Sequence, residues 1–372
     1  MAHRDEEQAE LVRLLELGVS VQMLAPRRVG KTWLMRDVER ALKAKGWLTI
    51  FCDVEGMRTQ DEFLRDLCKK IEEQSSVAEA INTQFKFRIR QLLGNDIEGH
   101  PLHAIGKVDA KPFSEALVAS LHDKHDRAVI LIDEIALFVS SLIAADPAAT
   151  VDFLYHLRKL RQNYPNVRWL LTGSIGLDAV ARRHNLGGAL VDLDTFSLEP
   201  FSKTEARRYL EQLCAQKRVR WPFKLDQAGF DHLAEQLGWL APFYLELIAN
   251  GIRTSGTAPA TIAEIDAAFE QLLSDKFRIR FAPWQEHLSK NFPSADRDFL
   301  RAILEICAAQ PAGEQVATMQ AKLPGAFAGK TKRDLMDALT ALSNDGFLVE
   351  RDGRWAFCSG LLRRYWVKHI CA

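Results

Sequence analysis

The stretch APRRVGKTW, residues 25–33, decides how the rest of the chain is read. It has the small–x4–Gly–Lys–Thr spacing of a phosphate-binding loop, with Ala25 at the first position where the common pattern has glycine. Such a loop needs a strand before it, a tight turn of backbone N–H groups, and a helix N-terminus whose dipole favours anions. SVQML (20–24) reads as the strand, and WLMRDVERALKAKG (33–46) as the helix, closed by Gly46. A basic surface turn is the plain alternative, and the strand–loop–helix context argues against it. Ala25 ends the strand, where a small residue suffices if its backbone is not left-handed. The candidates for holding a nucleotide are Arg28, Val29, Gly30, Lys31, Thr32 and Trp33. Lys31 would reach the β- and γ-phosphates of ATP or ADP, and the Thr32 hydroxyl would face Mg²⁺.

A second element supplies the complementary chemistry. RAVILIDE (127–134) is a continuous apolar strand that ends in two acids. At the C-terminal edge of a parallel sheet such carboxylates face the ligand crevice. Asp133 is the metal candidate together with Thr32, and Glu134 the general base that would polarise the attacking water. VRWLLTGS (167–174) is a further strand, ending in Thr172-Gly173-Ser174, where a polar side chain could sit between the acids and the γ-phosphate. Arg182 and Arg183, in ARRHN, are candidates for an arginine finger, in cis or to a neighbouring subunit. A solvated basic loop is the alternative for that pair.

The chain has 372 residues, enough for two or three domains. Lys and Arg balance Asp and Glu at 49 each, so global charge selects no nucleic acid, membrane or acidic partner. The six cysteines form no CxxC pair and no zinc-like cluster with histidine, which predicts reduced thiols. No apolar run approaches the roughly 20 residues that span a bilayer. The polar N-terminus MAHRDEEQAE is unlike a signal peptide, and a cytoplasmic protein is expected.

Alternation of strands and helices up to about residue 200 predicts a mostly parallel sheet covered on both faces. Strands are expected at 20–24, 47–55, 127–134, 167–174 and 190–198, with helices at 5–17, 33–46, 59–74, 77–93, 113–125 and 149–162. The segment 94–112, rich in Gly and Pro, reads as a loop or hairpin insertion. Beyond Pro200 the pattern is helical, at 202–217, 226–237, 241–251 and 260–275. Two or three further helices lead to GFLVERDGRWAF (346–357), a hairpin turning at Asp352–Gly353.

APRRVGKTWLM, VILIDEI, LLTGSIG and LGWLAPFYLELI resemble, in that order, segments of the archaeal-type AAA+/STAND P-loop ATPases, relatives of the origin-recognition ATPases. The resemblance covers most of residues 1–255. It implies an α/β P-loop domain over 1–200, a helical lid over 201–290 and a winged helix-turn-helix over 291–372. It also implies that Lys31 and Thr32 are the Walker A pair, Asp133 and Glu134 the Walker B pair, and Ser174 or Thr172 sensor 1. Pro242 falls in the lid segment that closes over the nucleotide, and Arg4, in HRDEE, on the adenine side. Ala25, His3 and Trp239–Ala241 depart from the family pattern, and no sensor 2 arginine is evident.

In the C-terminal module cations cluster at Lys330, Lys332 and Arg333, before and at the start of a recognition-like helix, and at Arg351 and Arg354 in the hairpin. Two readings follow. One is an ATP-hydrolysing switch acting on a partner protein or on DNA, with an oligomer allowed. The other is an ATP-dependent DNA-binding factor of origin-recognition or transposition-accessory type, with slow turnover.

Overall fold

A computed structural model of the chain describes residues 4–72, 110–173, 177, 180, 181, 184, 186–254, 258–291 and 294–371. The helix expected at 77–93 and nearly all of the 94–112 insertion lie outside these residues. The chain divides into two compact units. One comprises His3–Ala25 and Lys31–Leu198; the other comprises Pro26–Gly30 and Glu199–Ala372.

The first unit opens with helix α1 (Asp5–Glu16) and strand β1 (Val21–Leu24). Helix α2 (Lys31–Ala44), strand β2 (Leu48–Asp53) and helix α3 (Gln60–Glu72) follow. After the undescribed stretch come α4 (Ala110–Lys124), β3 (Ala128–Asp133), α5 (Ile135–Ala145), α6 (Pro147–Asn163), β4 (Val167–Thr172) and β5 (Asp194–Ser197). The five strands form one sheet in the order β2-β3-β4-β1-β5, and every neighbouring pair is parallel. Every residue of β3 is buried, as its unbroken apolar sequence requires for a strand covered on both faces. Trp169 of β4, and the mutually packed rings of Phe63, Phe138 and Phe153 from α3, α5 and α6, belong to the core beside it.

Two elements of the first unit differ from the expectation. Residues 135–145 form α5, which periodicity did not reveal because IALFVSSLIAA is apolar nearly all round. Pro112, expected in the insertion, lies in the first turn of α4, where proline's missing N–H has no helical partner to lose.

In the second unit, α7 (Lys203–Ala215), α8 (Gln227–Leu237), α9 (Pro242–Ala249) and α10 (Ile262–Leu272) are followed by α11 (Ala282–Asn291), α12 (Ser294–Ala309), α13 (Val316–Lys322) and α14 (Lys332–Asn344). Capping boxes at Ser202, Thr261 and Thr331 start α7, α10 and α14. The antiparallel hairpin of β6 (Leu348–Arg351) and β7 (Arg354–Phe357) turns at Asp352 and Gly353, both left-handed, and the chain then enters α15 (Gly360–His369). A Cβ on Gly360 would lie 2.3 Å from the Gln236 carbonyl oxygen, so α15 starts directly against the end of α8. Phe281 stacks on Tyr365 with centroids 4.4 Å apart, tying α15 to the segment before α11.

Candidate functional site

The candidate residues gather at the edge of the sheet where β1 and β3 end. Lys31 is the first residue of α2, buried, and its Nζ donates to the Ala25 carbonyl oxygen at 3.0 Å. The amine therefore folds back along the loop. Helix α2 has no acidic residue in its first turn, whereas α1 has Asp5, Glu6 and Glu7 there. The positive end of the α2 dipole is thus left to an outside anion rather than a side chain. Next in α2, Trp33 is exposed.

One turn into the chemistry is a pair brought together across 101 residues: the Thr32 hydroxyl donates to Asp133 Oδ2 at 2.6 Å. Asp133 is 2% exposed, and its Oδ1 accepts the Glu134 backbone N–H at 3.0 Å. Burial pushes the Asp133 carboxyl above the usual carboxylate range; the Thr32 hydrogen bond opposes this, and the nearby charges of Glu134 and Asp53 add to it. A carboxylate in this state favours a cation. Thr32 hydroxyl and carboxylate are hard oxygen donors of the kind Mg²⁺ takes, usually one or two from protein with the rest from phosphate and water. Among the described residues, no group of three or more His, Cys, Asp or Glu could hold a metal ion unaided. Asp53 is the residue that sequence reasoning missed. It ends β2, in register with Asp133. Its signal was there, since FCD closes an apolar strand with an acid just as ILID does.

Glu134 is left-handed (φ 59°) and caps the N-terminus of α5. For a non-glycine residue this costs about 1–2 kcal/mol. The conformation ends the strand at Asp133 and turns the chain into α5 within one residue. Thr172 is buried, and its hydroxyl donates to the Met23 carbonyl oxygen at 3.2 Å, so this side chain joins β4 to β1. Arg4 is buried at the start of α1 and pairs with Glu7. Ser174, Arg182 and Arg183 lie outside the described residues.

The loop Pro26–Gly30 belongs with the second unit. Ala25 is not among the left-handed residues; Arg28 (φ 70°) and Gly30 (φ 99°) are. Glycine at 30 is thus required by its backbone, while Arg28 carries the strain. The Arg28 guanidinium lies 4.7 Å from the centre of the Phe243 ring and 5.6 Å from that of Trp284. Arg27 Nε is 3.4 Å from Oδ1 of Asp345, which is buried. Val29 is fully buried, and Pro242 at the start of α9 approaches within 3.8 Å of where a Cβ on Gly30 would stand. The two arginine side chains of the loop therefore point to protein partners, so an anion at this loop would meet its backbone.

Of the C-terminal cations, Lys332 and Arg333 are exposed at the start of α14. Lys330 lies over the Phe299 ring and 4.0 Å from Asp296. Arg351 donates to the Gly238 carbonyl oxygen at 2.8 Å and Arg354 to that of Gly313 at 3.3 Å. Among the described residues no helix is long and apolar enough to cross a membrane.

A family model described as an AAA domain matches residues 23–180. No curated protein matches the sequence. Among solved structures, a Walker-type ATPase of Pyrococcus abyssi is 16% identical, with 98% of this chain and 95% of that one covered and a TM-score of 0.66. The ORC2 protein of Aeropyrum pernix, solved as ADPNP–ADP complexes, is 14% identical over 99% and 94% of the two chains, with a TM-score of 0.56. Residues 23–180 thus resemble an AAA domain, and the chain has the AAA+ P-loop ATPase fold of these two archaeal structures.

Proposed function

We propose that the chain is an ATP-binding, ATP-hydrolysing molecular switch of STAND type, dependent on Mg²⁺ and coupled to a partner protein. The observation that carries this reading is the Thr32–Asp133 pair at 2.6 Å, with Glu134 next to it and Lys31 opening α2. Backbone N–H groups from Arg28 to Thr32, followed by Trp33, hold the phosphates, and Lys31 balances their charge. Thr32 and Asp133 hold Mg²⁺, which when bound neutralises charge on the phosphate oxygens. Glu134 orients the attacking water and accepts its proton. Ser174 serves as the polar sensor, Arg182 and Arg183 as the finger, and Arg4 and Pro242 line the base side. The domains are an ATPase domain over 1–200, a helical lid over 201–290 and a winged helix over 291–372. A cytoplasmic location is part of the same reading.

The exposed Lys332 and Arg333 at the start of α14 favour a second reading, an ATP-dependent DNA-binding factor. The two are separated by the ATPase rate measured with and without duplex DNA. A switch turns over ATP irrespective of DNA. A DNA-binding factor binds duplex with a steep salt dependence, and Lys332→Ala with Arg333→Ala lowers the magnitude of the log K against log salt slope by about 2. A slope unchanged by the double substitution removes α14 from the DNA reading.

A further inference from the structure

The second unit contains a cavity of about 570 Å³ that the nucleotide chemistry does not use. It lies between α7, α8 and the segment Pro222–Leu225. Its wall is mainly apolar, from Leu210, Ala215, Phe223, Leu225 and Phe230, and the volume is in the range of ligand pockets. The one guanidinium in the wall, Arg207, is already held by Glu211, Gln227 and the Leu225 carbonyl.

The same segment carries a basic row. Lys217, Arg218, Arg220, Lys224 and Arg253 are all exposed, and Lys224 also borders the cavity. Arg220 and Arg253 both lie over the Trp221 ring, 4.8 and 5.1 Å from its centre. Asn250 Oδ1 accepts the Arg220 backbone N–H at 3.0 Å, which fixes the turn. Arg218 is paired with Glu246 at 3.4 Å; among the described residues, Lys217, Arg220, Lys224 and Arg253 have no carboxylate within ion-pair distance. Trp221 thus positions two guanidiniums that have no carboxylate partner among the described residues, beside an apolar cavity.

We propose that this face binds a protein segment in which apolar anchor residues are flanked by aspartate and glutamate, the anchors entering the cavity and the acids meeting Arg220 and Arg253. Charge complementarity calls for an anionic occupant, and the apolar wall calls for a side chain rather than a phosphate. A polynucleotide fits less well, because a base stacking on Trp221 would displace a guanidinium. Arginine and tryptophan around an apolar centre are the composition of protein-binding hot spots.

The test uses the full chain against a random-peptide display library, with enriched peptides synthesised and measured by fluorescence anisotropy. Enriched peptides should combine Leu or Phe anchors with Asp or Glu. Arg253→Glu and, independently, Ala215→Trp, which fills the cavity from an exposed position, should each weaken them about tenfold, with thermal melts unchanged. The proposal is overturned if no acidic–apolar peptide is enriched, or if the peptides bind both variants like the parent chain. It is also overturned if oligothymidylate alone binds through Arg220 and Arg253, making this a nucleic-acid surface. Decanoate binding in the cavity, insensitive to Arg253→Glu, would likewise overturn it in favour of a small-amphiphile pocket.

Discussion

Two strand-to-helix junctions meet the same sheet edge and handle it in opposite ways. From β1 to α2 the chain takes a loop, Ala25–Gly30, that contains two left-handed residues, Arg28 and Gly30. From β3 to α5 a single left-handed residue, Glu134, suffices. The wide loop exposes backbone and sends its arginine side chains to Asp345, Phe243 and Trp284. The tight junction offers side-chain carboxylates and little backbone. Recognition through backbone tolerates substitution at positions where dihedrals are ordinary. Recognition through side chains would not, because the proposed function gives each carboxylate a separate task. That contrast explains how Ala25 can stand where glycine is usual.

Substitutions at these junctions test it, and Lys31→Ala should have the largest effect. Lys31 supplies a positive charge at the first junction that backbone cannot replace, so ATP binding should disappear from the calorimetric range and turnover with it. Parental affinity in this variant would sink the phosphate-site assignment. Glu134→Gln comes next. Turnover should fall about 10²–10⁴-fold while ATP still binds, because a general base is lost and the cradle is not. Turnover within a few-fold of the parent chain would remove Glu134 from the chemistry.

Asp133→Asn acts in two directions. Burial raises the Asp133 carboxyl above its ordinary range, so the folded chain holds this proton more tightly than the unfolded chain. The group's contribution to stability is therefore most favourable below its unfolded pKa and declines as pH rises towards the folded value. At neutral pH the group therefore costs stability. The asparagine variant should melt higher than the parent chain without nucleotide, yet lose Mg²⁺-dependent turnover. A lower melting temperature with Mg²⁺ and nucleotide absent would mean that Asp133 is held for structural reasons. The smallest effect is expected from Ala25→Gly. With no left-handed strain to relieve, ATP affinity should stay within a factor of about five, the equivalent of the roughly 1 kcal/mol that a left-handed alanine costs. Calorimetry giving tenfold tighter binding would show that the loop is compromised at its first position.

Much of the candidate site was legible locally. Gly30-Lys31-Thr32 and Asp133-Glu134 each declare themselves within a few residues, because a strand, a turn and a helix start leave short-range marks. Helix α5 was not legible: a sequence apolar all round has no face to detect. Asp53 escaped because its place beside Asp133 is a matter of strand register. Arg351 looked like a free wing cation, but its guanidinium is bonded to the carbonyl of Gly238, 113 residues away.

The amino-acid sequence by itself determined the alternating α/β pattern, the phosphate-loop spacing, and the apolar strand that delivers two acids to a sheet edge. Those are set by side-chain period, backbone freedom at glycine and helix-end chemistry, all of which act over a few residues. Tertiary structure decided the strand order that places β4 between β1 and β3, the meeting of Thr32 with Asp133, and the burial that shifts the Asp133 carboxyl. It also decided that strain falls on Arg28 rather than Ala25. These depend on which distant segments pack together and how much water they exclude, and no local pattern encodes a partner 101 residues away.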